Sequence, residues 1–557
     1  MKHELRKVVV FLGLLAVSQL KSGCKSAESS KVQAAADSPS QGFPSGRVME
    51  VKLRIDAAKW DFLRKQGNDL SNFACGNSAR VENENQNAQL WIDGEDFGKV
   101  KVRKKGLLGS QQQKKPSLKI NLGKRKAFGL DRLVLNNNHQ DPALMRQCLA
   151  YEAFSQAGLP AAACSFARVF VNGDDLGIYT QVEEYGPAYL RTAAGNPEDA
   201  LIEGTVSDFS AAYRKTFEVK EGDTALALAK IAAITEILNK RQGDLVSQLS
   251  KHIDMDAFFR FWAVEVLVGH WDGYANNRNN FFMRLDQATE MVRFIPWGVD
   301  NVFHESDSFY KGPKPRPLGV SAASKLTSRL LEDREGARRY RAALSEVNGG
   351  AWASTLIGRA KSYKQLLGGA VDEGSFQQML GFISARQSAI QGELAKTAID
   401  WPIAYREGEP CLTSLGSFRA NFSSTWLGDV TPGTEGGGSG EMHFTLEGIS
   451  YDLKSIYSVA GRANSAIRNQ PAVILVGKKD GESYIAQIYV EEGLYRDGGS
   501  MKYQGFSTYG VLLKQGKDGV IKRLGMISAG SLNFEKNGFS KADPVLGSTT
   551  AGLFTFL

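Results

Sequence analysis

The chain has 557 residues, 42% of them hydrophobic and 23% charged, with a formal net charge of +8 at pH 7. These proportions exclude a chain disordered throughout and a collagen-like fibre, and at roughly 150 residues per domain the length allows about three or four domain-sized pieces. The charge is mild for the length and no Lys/Arg block forms a basic arm, so a nucleic-acid partner is not expected.

Lys2, Arg6 and Lys7 precede an apolar run from Val8 to Val17, so residues 1–23 are predicted to be an export signal. The run is too short to span a bilayer. Leu20-Lys21-Ser22-Gly23-Cys24 resembles a bacterial lipobox, with Lys21 as a departure from it. That resemblance implies lipidation of Cys24 and a membrane-anchored, extracytoplasmic lipoprotein of the bacterial cell envelope, with plain secretion as the alternative. Residues 24–45, rich in Ser, Ala, Gln, Gly and Pro, read as a flexible tether. Outside the cytoplasm disulfides persist, and Cys75, Cys148, Cys164 and Cys411 allow three pairings among which the sequence does not choose.

From Val48 the pattern becomes ordered. Val48 to Ile55 alternates like a strand, Ala88 to Val102 reads as a hairpin turning at Asp93-Gly94, and Lys115 to Leu122 is a further strand. Asp141 to Ala157 is helical in pattern, with Asp141 as N-cap, Pro142 at the first helical position and Gly158 after the end. Val169 to Val182 is a hairpin around Asn172-Gly173. Long helices are predicted over Thr224–Leu238, Met255–Val268, Ser321–Val347 and Phe376–Ala395. From about Cys411 the character changes. Strands over Ala472–Val476, Tyr484–Val490, Ser507–Lys514 and Arg523–Phe534, and a Gly/Ser-rich loop at Gly433–Gly440, suggest a separate all-β domain. The fold class is therefore α+β, with residues 46–408 as one domain and 409–557 as a smaller all-β accessory domain.

No CxxC, HxxH or HExxH supports a zinc site, and no GxxxxGK[ST] supports a P-loop. The informative stretch is His270-Trp271-Asp272-Gly273-Tyr274-Ala275-Asn276-Asn277-Arg278-Asn279-Asn280-Phe281-Phe282. Polar groups crowd it directly after an apolar helix. Phe294-Ile295-Pro296-Trp297-Gly298-Val299-Asp300 follows, an apolar run that delivers a carboxylate to an edge. A carboxylate to deprotonate a hydroxyl and oxygen ligands for a divalent metal are what phosphoryl transfer needs. Asp272 with Asn277 repeats the spacing of the kinase catalytic loop, and an Asx-rich turn that only satisfies backbone is the plainer alternative.

These segments resemble the spore coat protein H (CotH) kinase family of atypical secreted protein kinases. Five further blocks carry the resemblance in order: Gly106-Leu107-Leu108-Gly109-Ser110 with Lys114 to Ile120; Phe128 to Asn138 with Asp141-Pro142-Ala143-Leu144-Met145-Arg146; Ala150 to Phe154 with Gly158-Leu159-Pro160; Val171-Asn172-Gly173 to Glu184; and the helices Leu326–Val347 and Ile383–Leu394. The resemblance covers about residues 46–400. It implies a two-lobed, kinase-like domain that uses ATP with Mg²⁺ or Mn²⁺ to phosphorylate Ser/Thr of secreted or surface proteins. Asp272 would be the catalytic aspartate, Asp300 a metal carboxylate, and Asn277 or Asn280 a metal ligand. Lys115 or Lys119 would contact phosphates, Gly106, Gly109 and Ser110 would approach them, and Arg146 and Glu183 are further cleft residues. Glu152 is a candidate partner for the lysine. Two departures stand out. Gly298 occupies a position where the family commonly has Asp, and Lys105-Gly106-Leu107 replaces its Arg-Gly-Asn. If the lost carboxylate is essential, the chain is instead a catalytically weak binding or structural module of the envelope.

Overall fold

The computed structural model describes residues 43–44, 46–67, 83–106, 110, 112–192, 196–213, 216–240, 243–305, 314–408, 411–430, 434, 436–464, 469–505 and 507–555. The signal, residues 24–42 and 45 of the tether with Cys24, Cys75 and Gly109 lie outside them. The chain from Ala36 to Leu557 clusters as one compact unit.

Seven strands close into a barrel: β1 (Val48–Arg54), β2 (Gln86–Ile92), β3 (Glu95–Lys104), β4 (Leu118–Asn121), β5 (Arg132–Asn136), β6 (Cys164–Val171) and β7 (Asp174–Val182), in the order β1-β2-β3-β4-β5-β7-β6. The closing pair β1–β6 is parallel and the remaining pairs are antiparallel. Alternating residues such as Val51, Leu53, Leu90, Val100, Val102, Ile120 and Leu133 fill the interior. Asp93 (φ 51°) and Gly94 (φ 85°) both take the left-handed turn conformation, as the hairpin spacing requires. The strand expected over Lys115–Leu122 is shorter than its pattern: it is β4, and Lys115 lies in a bend before it.

The helix Arg146–Gln156 packs beside the barrel, and the Cys148–Cys164 disulfide ties it to β6. It starts later than its pattern implies. Leu144 sits at φ +65°, which breaks helical continuity, and Asp141 instead accepts the Arg146 N–H from upstream at 2.7 Å. Pro142 is therefore in a turn rather than at the first helical position.

Four strands, β8 (Ala200–Gly204), β9 (Phe217–Glu221), β10 (Phe281–Leu285) and β11 (Val292–Pro296), form a second sheet in the order β11-β10-β8-β9. The helices Thr224–Asn239, Met255–Val268, Lys325–Glu332, Arg334–Asn348, Trp352–Leu367 and Glu373–Leu394 share one apolar core with it. The expected single helix over Ser321–Val347 is two. Asp333 ends the first and caps the second, accepting the Gly336 N–H at 2.8 Å. Trp352–Leu367 was not evident as a helix in the sequence pattern.

The remaining strands are β12 (Ser414–Asp429), β13 (Ser439–Leu446), β14 (Ile449–Asn464), β15 (Asn469–Lys479), β16 (Glu482–Val490), β17 (Gly499–Lys502), β18 (Thr508–Gln515), β19 (Ile521–Asn537) and β20 (Pro544–Phe554). They form one nine-stranded sheet, interrupted by the short helix Glu492–Asp497. The chain is thus α+β. No helix among the described residues is long and apolar enough to cross a membrane.

Candidate functional site

The site begins with the buried helix Met255–Val268. Asp254 caps it by accepting the Ala257 N–H at 3.1 Å, and Gly269, at φ +70°, stops it. Glu265, buried on its last turn, accepts the N–H groups of Tyr274 and Ala275, each at 2.8 Å. These are the free donors at the start of the short helix Tyr274–Asn277, where a carboxylate is favoured. Gly273 cannot carry a side chain here: a Cβ would lie 2.2 Å from Glu265 Oε1 and 2.5 Å from His270 Nδ1. Glu265 and the buried His270, 3.5 Å from it, thus set the path of the loop that carries Asp272. The sequence reading missed Glu265. Its signal was an acid inside the apolar run Phe261–Val268, a residue type that is rarely buried unless paired.

Asp272 is half-buried within a ring of amides. Its Oδ1 accepts Nδ2 of Asn277 at 2.6 Å and of Asn279 at 3.2 Å, and its Oδ2 accepts Nδ2 of Asn280 at 2.7 Å. Burial pushes its carboxyl above the ordinary value, while the three amides and His270 hold it down. Asp300, also half-buried, follows β11. Burial raises its carboxyl as well, Asp272 raises it further, and Lys105 and His270 pull it down. The two carboxylates therefore feel one another's charge. Both expected asparagines, Asn277 and Asn280, reach Asp272, and Asn279 joins them.

Gly298 has a local structural explanation. It sits at φ +56°, and a Cβ would approach Asn280 Oδ1 to 2.5 Å. The turn after Trp297 runs beneath the asparagine that holds Asp272, and it leaves no room for a side chain at that place.

Lys105, noted in the sequence only as a departure, feels the charge of Asp300. It follows β3, donates to Asn136 Oδ1 at 2.6 Å and lies 6.0 Å from the Trp297 ring. Burial pushes its ammonium down to about 8, and Asp300 is the first charge opposing that shift. Its signal was its place before Gly106, where the resembling family carries Arg. Gly106 is at φ +85° and a Cβ there would meet Ser110 Oγ at 2.2 Å, so Gly106 and Ser110 stand together. Lys119 forms an ion pair with Glu184, which also accepts Arg132 Nη1 at 3.3 Å. Lys119 and Glu184 both act electrostatically on Lys105.

Three expected cleft residues are turned elsewhere. Lys115 donates to the Ile178 carbonyl at 2.7 Å and interacts with Asp175 on the β6–β7 hairpin, because it lies in the bend before β4. Arg146 is buried, 3.4 Å from Asp141, and donates to the Val302 carbonyl at 3.0 Å. It braces the backbone beyond Asp300. Glu183 is buried and accepts the Ala163 N–H at 3.0 Å, so the acid facing Lys119 is Glu184, one position on. Glu152 accepts from Gln156 at 3.2 Å on its own helix rather than from a lysine. Phe281 and Phe282 are core residues.

Among the described residues no three His, Cys, Asp or Glu side chains come together to hold a metal. The donor set at the site is two aspartates with amide oxygens. Hard divalent cations accept such oxygens, and Mg²⁺ takes one or two carboxylates with substrate phosphates. The charge of Asp272 on Asp300 is one that a nearby cation would offset.

A profile of the CotH kinase protein family matches residues 102–387, which includes Lys105, Asp272 and Asp300. The chain is 26% identical over 250 residues to the inner spore coat protein H of Bacillus subtilis (strain 168), covering 42% of this chain and 67% of that protein. An inner spore coat protein H-like protein of the same organism is 38% identical over 70 residues, 13% of this chain and 23% of its own length. A spore coat protein homolog 1 of Rhizopus delemar is 21% identical over 329 residues, 55% of this chain and 48% of that protein. The chain thus spans about two thirds of the first relative and less than half of the other two. The profile match covers more than half of the chain, and the chain belongs to the CotH kinase family.

Proposed function

We propose that the chain is an ATP-dependent protein kinase that phosphorylates hydroxyl side chains of secreted or surface proteins. The observation that carries this reading is that Asp300 feels the charge of both Asp272 and the half-buried Lys105. Asp272 would accept the proton of the attacking hydroxyl. Burial makes it a stronger base than a free aspartate, and the amides of Asn277, Asn279 and Asn280 fix its orientation. Asp300, with Oδ1 of Asn277 or Asn280, would hold Mg²⁺ or Mn²⁺. The metal would neutralise charge on the transferred phosphoryl group. Lys105 would sit against the phosphates, with Lys119 held ready by Glu184 and with Gly106 and Ser110, which stand together, close by. The hydroxyl oxygen bonds to the γ-phosphorus, the bond to ADP breaks, and the proton leaves through Asp272.

Export is part of this proposal. The Cys148–Cys164 disulfide and the disulfide-bonded state of Cys411 suit an oxidising compartment, and the amino-terminal signal agrees with them. We also propose that residues 409–557 act as an accessory domain and that 46–408 carry the two-lobed kinase-like part. Gly298 favours a second reading, a binding module with little catalysis, because a carboxylate is missing beside the site.

Thermal stability of residues 36–557 tests nucleotide binding. ATP with Mg²⁺ or Mn²⁺ is expected to raise the melting temperature, since a ligand at 100 times its Kd adds about 2.7 kcal/mol. Asp300→Ala is expected to keep the fold and lose this metal-dependent shift. An unchanged shift in that variant would remove Asp300 from the metal role.

A further inference from the structure

One end of the nine-stranded sheet has the layering of a surface that meets a lipid bilayer. The register brings three turns to it. β14 starts at Ile449 and runs away, β15 returns to Lys479, β16 leaves from Glu482 and β18 returns to Gln515. The turns at 447–448, 480–481 and 516–520 therefore share that end. They are neighbours in space as well: a Cβ on Gly481 would lie 2.8 Å from Lys517 Cε.

Five large hydrophobic side chains are strongly exposed among the described residues, and three of them lie here: Ile449 at 58%, Val520 at 51% and Ile521 at 50%. Single exposed apolar residues are ordinary, but three on one edge are not scattered. Tyrosines lie behind the tips. Tyr451 packs on Phe444 at 4.6 Å and on Tyr484 at 5.2 Å, with Lys479 lying 4.8 Å from the Tyr451 ring. Exposed Lys478, Lys479, Lys517, Lys522 and Arg523 outnumber the exposed acids Glu447, Asp452, Asp480 and Asp518 at this end, and Asp452 is itself paired with His443. Lys514 and Glu482 neutralise each other at 2.7 Å.

Apolar tips, then amphipathic rings, then cations is the order in which a bilayer presents acyl chains, interface and anionic headgroups. We propose that this edge docks on an anionic lipid surface, with Ile449, Val520 and Ile521 entering the interface and the lysines meeting headgroup phosphates. The docking is independent of the kinase reading and of any acyl group on Cys24.

Residues 36–557, which omit Cys24 and the apolar leader, would be sedimented with vesicles of phosphatidylcholine alone or with 30% phosphatidylglycerol (a choice of about that fraction, to give a negative surface potential). Binding to the anionic vesicles is expected to be at least tenfold tighter and to weaken with salt. Ile449→Asp with Ile521→Asp is expected to lower it at least tenfold with no change in melting temperature, since both side chains are exposed. Lys517→Glu with Lys522→Glu is expected to lower it without removing the apolar tips. No binding to anionic vesicles, or equal binding by the Asp variant, would overturn the proposal. So would dimerisation that the Asp variant abolishes in the absence of vesicle binding, which would assign the edge to a second copy of the chain.

Discussion

Lys105 and Lys115 are both lysines near a glycine turn, and the structure gives them different neighbours. Lys105 is half-buried and feels Asp300, whereas Lys115 is held by the Ile178 carbonyl. Lys105→Ala is therefore expected to weaken ATP binding at least tenfold by calorimetry, and Lys115→Ala to leave it within about twofold. Equal losses would mean that the phosphates do not sit at Lys105. Gly298 makes a second case. Restoring the family's acid with Gly298→Asp should force a left-handed residue against Asn280. Denaturant unfolding is expected to show a loss of about 1–3 kcal/mol, with lower transfer activity because the asparagine holding Asp272 must move. The identity of Asp272 and Asp300 as partners was legible from residue type and spacing. The choice among lysines was not, because it depends on which strand ends close the barrel. Glu184 was equally hidden, since a one-residue change after β7 moves a carboxylate from the core at Glu183 to the cleft.

Elements follow the same logic. The Met255–Val268 helix was legible to the residue, because an Asp cap and a following glycine bracket an apolar run. The Arg146–Gln156 helix was misjudged at its start, because left-handed Leu144 leaves no trace in apolar periodicity. β3 shows how one strand end serves two purposes. Lys105 turns to the site, while Lys104 is fully buried and donates to the carbonyls of Arg64 and Gln66 at 2.8 and 2.5 Å, at the end of the helix Ala57–Lys65. Burial lowers the Lys104 ammonium to about 7 from 10.5, and Glu491, beyond the end of β16, is the first charge opposing the shift. Between those values the unfolded chain holds a proton that the folded chain has released. Stability must then rise with pH across that window, with the penalty present in full below about 7. Lys104→Met is expected to flatten this rise in unfolding free energy measured from pH 7 to 10. A profile parallel to that of the parent chain would show that Lys104 keeps its proton when folded.

At the scale of the whole molecule, the barrel, the helix-backed sheet and the nine-stranded sheet each have their own apolar core. The first two bring the candidate site together: Lys105, Lys119 and Glu184 come from barrel strand ends, and Asp272 and Asp300 from the loops around β10 and β11. The alternation of sequence patterns made the α+β class legible. It did not reveal the closure of seven strands into a barrel, because the parallel β1–β6 pairing joins segments more than a hundred residues apart. The nine-stranded sheet was half legible. The strands with continuous apolar runs were evident, whereas β12 and β20, rich in Ser, Thr and Gly, were not.

The central claim is that Asp272 and Asp300 serve phosphoryl transfer. Its most direct test is transfer of labelled γ-phosphate from ATP by residues 36–557 with Mg²⁺ or Mn²⁺, in the presence of a basic acceptor protein. Asp272→Ala and Asp300→Ala would be assayed beside the parent chain. Label on the acceptor or on the chain itself with the parent, and none with either variant, is the expected result. Equal label from the parent and both variants, or no label from any of them together with no ATP-dependent rise in melting temperature, would contradict the claim and leave the fold as a binding module.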